Sequence, residues 1–432
     1  MQRHILEHVW FLGLWSVVTV LFWAFGLEHI GIPFAMLVAG AILTFDREAI
    51  HALPVLLSSL FMVSQTEWSL ETIPFYLMLV PVLLIVFFVI HVIRFRVRLF
   101  HGKLLFPLVA MLAAMGLSTI NATGVDMVYL FLMSAAVSYV FVYLFFRNAV
   151  VGNQIQFLLM TMAVLGVIVS LEVFIYYLRV DDVILAIETK SIDLGWGISN
   201  FVATYLILFI PATFYFAKIS RHHLVWMFLG LFESLMLLFT LSRGGILVYS
   251  FLLIFLLIYL FRGTNVKQMV LNVFAILLII AAVISSNMDL FVAIYDRFRV
   301  LLFDSSGRMD LYQEAIHQFL AHPLLGAGIY ARLDESGGLR MYHNTILHTA
   351  ASFGILGLLA LGWQFVVSFQ IMMHQIKTKT TILALSLLFA NLHGMVDNVY
   401  YMPQFMILFF VILAVTEVSN QHYDRTLERA LS

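Results

Sequence analysis

Residues 240–247, TLSRGGIL, set Arg243 where two apolar runs meet with almost no loop between them. A guanidinium held at a membrane boundary costs several kcal/mol unless something anionic meets it, and such groups are functional by default. Gly244 and Gly245 allow a tight turn or a close backbone approach beside it. The alternative without function is a structural ion pair, for instance with Glu172 or Glu233.

A second arginine, Arg308, stands before MDLYQEA. Its planar fork matches phosphate oxygens; the bland alternative is a solvated helix start paired to Asp310. A third stretch, GGLRMYHNTILH over 337–348, places Tyr342, His343 and Asn344 against the entry to an apolar run. Asn344 is a good N-cap type. The helix dipole there disfavours a protonated imidazole, which leaves His343 neutral and able to accept a proton as a general base. His348, five residues on, points about 140° away round the helix and is not its partner. The bland alternative is an interfacial histidine satisfied by backbone.

The elements that must position these groups are membrane helices. Of 432 residues, 63% are hydrophobic and 11% charged, against about 45–50% and 25% in soluble domains. Net charge is −1, so no basic surface invites nucleic acid. There is no cysteine, which excludes disulfides, thiolate metal sites and a cysteine nucleophile. Apolar runs fit spans at 9–25, 30–45, 50–64, 73–93, 104–120, 127–146, 155–178, 197–217, 224–240, 244–261, 269–286, 345–369, 380–395 and 403–418. About 30 Å of hydrocarbon must be crossed by helices, because lipid offers no partner to free backbone groups. The expected fold is therefore all-α and polytopic, with about 12–14 transmembrane helices in one membrane domain, 1–432. The first span follows Arg3 and His4 without a cleavage site and reads as a retained helix.

With both termini in the cytoplasm, the inner loops hold 15 Lys and Arg and the outer loops 8, the asymmetry expected of an inner-membrane protein. Five of those eight, Arg297, Arg299, Arg308, Arg332 and Arg340, lie in one enlarged outer loop, 287–344. Within it, Leu311, Ala315 and Phe319, with Ile316 at its edge, form the stripe of a short amphipathic helix, closed by Pro323, Gly326 and Gly328. Clustered outer arginines suit an anionic ligand at the outer leaflet, although any one of them could merely reach for lipid phosphates.

The order LSRGGIL, then GRMDLYQEAIHQFLAHPLLGAG, then HNTILHTAASFGILG resembles the O-antigen ligase and polymerase superfamily of membrane glycosyltransferases. LGWGISNFVATYLILFIP, 194–211, is similar to a further segment of many members. The resemblance implies a GT-C-like fold. It implies transfer of a glycan from a polyprenyl-diphosphate donor in the outer leaflet to a glycan, lipid or protein acceptor hydroxyl. Two arginines, here Arg243 and Arg308, would grip the diphosphate, and the histidine of the HN motif, His343, would serve the acceptor. The sequence departs from the family at Tyr312, where tryptophan is common, and at Phe353, where an acid is common.

The residue chemistry agrees. Arginines can stabilise a leaving diphosphate without a metal, no acidic metal triad stands in the outer loops, and no cofactor is implied. In-line attack would invert the anomeric centre. Lys190, Trp196, Asn200, Tyr312 and Asn344 are further candidates for diphosphate or sugar contacts. A transporter or flippase of lipid-linked saccharide is the competing class. Internal repeats and broken helices in matching halves would favour it, and neither is visible in the sequence.

Overall fold

The computed structural model describes residues 5–64, 75–122, 127–262, 274, 288, 292–296, 307–329 and 341–431. The expected span 269–286, apart from residue 274, and the arginines at 297, 299, 332 and 340 lie outside them. Among the described residues the protein is all-α, its one β feature an isolated bridge between Asp193 and Ile198.

The helices run α1 Val9–Ala24, α2 Glu28–Phe45, α3 Leu53–Ser59, α4 Phe75–Phe95, α5 Leu105–Ser118, α6 Met127–Ala149, α7 Ile155–Arg179, α8 Val183–Thr189, α9 Ser199–Ile219, α10 His223–Phe239, α11 Arg243–Phe261, α12 Arg308–Ala321, α13 Thr345–Met373, α14 Thr378–His393 and α15 Pro403–Leu431. Six of them, α2, α7, α9, α11, α13 and α15, are long and apolar enough to cross a membrane. Shorter apolar helices accompany them, so the protein is a multi-pass helical bundle. The expected span at 50–64 is a 3₁₀ turn, Ala49–Ala52, running into the seven-residue α3. At 1.5 Å per residue it reaches only about half-way across the hydrocarbon.

Helix α9 sits at the centre, with 89% of its spanning window buried, and packs against α7, α10, α11 and α14. Its apolar residues run all round, as a helix surrounded by other helices requires. The expected single span at 345–369 is longer, Thr345–Met373, and it is broken: Gly354 takes φ 63°, ψ −157° inside it. A break at membrane depth exposes backbone groups that lipid cannot satisfy. The segment after α12 fills it. Ala327 N donates to Ala351 O (2.9 Å), Gly328 N to Ser352 O (3.0 Å) and Ile355 N to Pro323 O (2.8 Å). Glycine is required on both sides, because Gly326, at φ +74°, lies so close that a Cβ would stand 2.3 Å from the Ser352 backbone.

Candidate active site

The SRGG turn is built by its own residues. Leu241 adopts a left-handed φ of 56°. Ser242 then caps α11, its Oγ accepting from Gly245 N at 3.3 Å. Arg243 therefore begins α11 at one end of the bundle. The glycines behind it allow close approach: a Cβ on Gly244 would meet Val396 at 2.6 Å and the His393 ring at 3.3 Å, and one on Gly245 would meet Ala203 of α9 at 2.7 Å.

The HN stretch is built in the same way. His343 has φ 48°, a strained conformation for a non-glycine residue that concentrates at functional sites. Asn344 caps α13, its Oδ1 accepting from Ile346 N and Leu347 N at 2.9 Å, while its Nδ2 donates to Met395 O at 2.8 Å. Thr345 N and its hydroxyl both donate to Gly394 O. These bonds tie the start of α13 to the junction 394–398 that follows α14.

That junction supplies the partner of His343. Asp397 Oδ1 stands 3.0 Å from His343 Nδ1, with side chains 3% and 40% exposed respectively. Burial works to raise the Asp397 carboxyl, but the bond and charge of His343, the nearby His393 and the Asn398 amide (2.8 Å) outweigh it. The group is held below its ordinary value and remains a carboxylate. A carboxylate on Nδ1 fixes the tautomer with the proton there, so Nε2 is left as the accepting nitrogen. Nε2 has no partner among the described residues.

One turn before Asp397, His393 is 1% exposed and wedged beneath the SRGG turn. Its Nδ1 pairs with Thr204 Oγ1 of α9 at 2.6 Å and its Nε2 with Ser242 Oγ at 3.4 Å. The charges of Asp397, Arg308 and Lys190 all act on it, which brings α12 and the loop after α8 to the same place. Lys190, at a left-handed φ of 55°, donates to Asn200 Oδ1 at 2.8 Å. From α12, Tyr312 reaches the His343 carbonyl at 3.3 Å. Arg308 opens α12 behind Gly307 at φ 69°, is half-buried, and has no salt bridge to Asp310 or to any other described residue.

Arg243, Arg308, His343, Lys190, Asn200, Tyr312 and Asn344 thus all belong to elements that converge on one end of the bundle. Trp196 does not join them. It is 5% exposed, packs on Phe61 and Tyr205, and donates to Glu172 Oε2 at 2.6 Å. Glu172 Oε2 accepts from Trp196 and Glu233 Oε1 from Thr213, at 2.8 Å, and their other oxygens have no partner among the described residues, so neither is the ion-pair partner of Arg243. His348 packs its ring between Tyr342 and Tyr401. His393 and Asp397 went unread in the sequence. Their signal is HGMVDN, a histidine and an acid four apart where an apolar helix ends. Among the described residues no three His, Asp or Glu side chains are grouped to hold a metal ion.

The fold and this cluster define a multi-pass helical membrane protein with a group of titratable side chains gathered at one end of the bundle. Residues 224–362, roughly a third of the chain, match the O-antigen ligase family, which supports membership of the O-antigen ligase and polymerase superfamily. That family implies a glycosyltransferase-like enzyme and lipid-linked glycan substrates. The match takes in Arg243, Arg308 and His343, while Lys190, Asn200, His393 and Asp397 lie outside it. No curated protein matches the chain.

Proposed function

We propose that the protein transfers or polymerises a glycan from a polyprenyl-diphosphate donor to an acceptor hydroxyl at the outer face of the cytoplasmic membrane. The observation that carries this reading is the His343–Asp397 pair, set beside two arginines at the bundle end where a lipid-borne diphosphate would lie. In the reaction, the acceptor hydroxyl gives its proton to His343 Nε2 as its oxygen bonds to the anomeric carbon. The bond from that carbon to the diphosphate breaks. Asp397 stabilises the imidazolium, and Arg243 and Arg308 meet the charge that grows on the leaving group. Attack from the face opposite the leaving group inverts the anomeric centre. Lys190, Asn200 and Tyr312 would contact the diphosphate or its first sugar, and the reaction would use no metal or cofactor.

The test is transfer by the purified protein in detergent, with a defined lipid-linked donor and the product's anomeric configuration read by NMR. Inverted product that His343→Ala no longer makes supports the reading. Donor that crosses vesicle membranes without any transfer would replace it with the transporter reading.

A further inference from the structure

The two helices that bring His393 and Asn200 to the active end, α14 and α9, carry a second polar site at their other ends. A cavity of about 380 Å³ opens there among Asn153, Tyr215, Lys377, Lys379, Ser419 and Asn420. Its position along the 16 residues of α14 puts it roughly 20 Å from His393. It is lined by ammonium, amide and hydroxyl groups, and no carboxylate lines it.

Both ammonium groups rest on neutral partners. Lys377 Nζ lies 3.2 Å from the centre of the Tyr423 ring, and Lys379 Nζ donates to Gln156 Oε1 at 2.9 Å. Among the described residues neither meets an acid. The nearby carboxylate, Asp424, is taken by His374 (2.9 Å) and Gln375 (3.0 Å). Helix α14 also begins here. Its N-cap position is Lys377, whose side chain has no atom able to accept from the first-turn amides. Cations without counter-charges and an open helix start therefore face one cavity, and both favour a bound anion.

The apolar surroundings narrow the choice of anion. Ile155 and Ile219 line the cavity. Ile219 is 49% exposed, and Ile376, beside Lys377, is 70% exposed. A soluble phosphate ester would leave that apolar surface in water. A phospholipid would cover it with acyl chain while its phosphate enters the cavity. Basic pockets between spans on the cytoplasmic side hold anionic head groups in this way, and the Lys and Arg asymmetry assigns this end to the cytoplasm.

We infer that the cavity between α9, α14 and α15 is a binding site for the phosphate head group of an anionic phospholipid of the inner leaflet. The site makes no use of the transfer chemistry and stands or falls apart from it.

The experiment follows the unfolding temperature of the full-length protein in mixed micelles, since a ligand that binds only the folded state raises it. Phosphatidylglycerol should raise it by several degrees, and phosphatidylcholine should not. The double variant Lys377→Gln/Lys379→Gln should lose most of the rise, while Lys377→Arg/Lys379→Arg should keep it. Should the glutamine variant fold poorly, the arginine variant still decides by comparing the two lipids. Equal effects of both lipids, or an undiminished rise in the folded glutamine variant, would overturn the inference. The same rise from millimolar glycerol phosphate alone would overturn the lipid assignment and make this a soluble phosphate site.

Discussion

His343 Nδ1 meets Asp397 Oδ1 at 3.0 Å, although 54 residues separate them in the chain. The pair joins the start of α13 to the junction after α14 and leaves the second imidazole nitrogen without a partner among the described residues. Asp397→Asn removes the charge that supports the imidazolium and weakens control of the tautomer. Transfer should fall by about 10²–10⁴ with protein level unchanged. An assay of initial rates at matched membrane levels checks this, and an unimpaired variant would remove Asp397 from the mechanism.

The same carboxylate predicts a pH effect on stability. The Asp397 carboxyl is depressed in the folded protein, so its contribution is fully present above the unfolded value and is lost as pH falls through the folded one. Melting temperature in detergent should therefore drop on acidification below about pH 4. Asp397→Asn should flatten that part of the curve. Identical acid limbs in the two proteins would contradict the pairing.

His343→Ala should lose about 10²–10⁴ in rate while still binding donor. His348→Ala should be mild in rate, because that ring packs among Tyr342 and Tyr401 and faces an apolar cavity. The reverse ranking would make His348 the base.

Arg243→Lys and Arg308→Lys keep the charge and lose the fork. Each should lower turnover roughly 10²-fold if its contact strengthens with leaving-group charge. Arg179→Lys, whose guanidinium lies over the Trp23 ring, should be nearly normal. Excess chelator should leave the wild-type rate unchanged. Uniform loss across the three lysine variants would indicate a general electrostatic surface instead of a two-arginine grip.

The arginines and His343 were legible in the sequence because each is a polar group stranded at the edge of an apolar run. His393 and Asp397 were hidden because the span at 380–395 absorbed one and a short junction held the other. Only tertiary packing brings that junction under Gly244. Trp196 misled for a related reason: an indole at a helix entry reads equally as a sugar platform or as core, and the carboxyl of Glu172, 24 residues earlier, decides it. The amphipathic α12 was readable from its stripe, and Ala315 and Leu311 do pack against Tyr342 and Ala351. The break at Gly354 was not, since one glycine in a helical pattern is usually tolerated.

The cysteine-free chain also permits a test of sidedness. Met309→Cys, on α12, should react with an impermeant thiol reagent on intact cells, and Thr378→Cys, at the start of α14, should not. Labelling of Thr378→Cys from outside would invert the assignment of both ends of the bundle.

Gly326→Ala would place a methyl against the Ser352 backbone in a left-handed conformation that alone costs about 1–2 kcal/mol. The variant should melt well below wild type and lose transfer, whereas Gly13→Ala, with open space around its Cβ position, should do neither.

The lacing of 323–328 into the broken α13 is made by main-chain atoms, and main-chain atoms are shared by every residue type. The register between Arg308 and His343 is thus addressed by backbone, with glycines as the punctuation. Side chains along 323–325 take no part in that lacing, so the separation of Arg308 and His343 does not depend on their identity. A side-chain exchange on that stretch would leave the geometry at this end of the bundle in place.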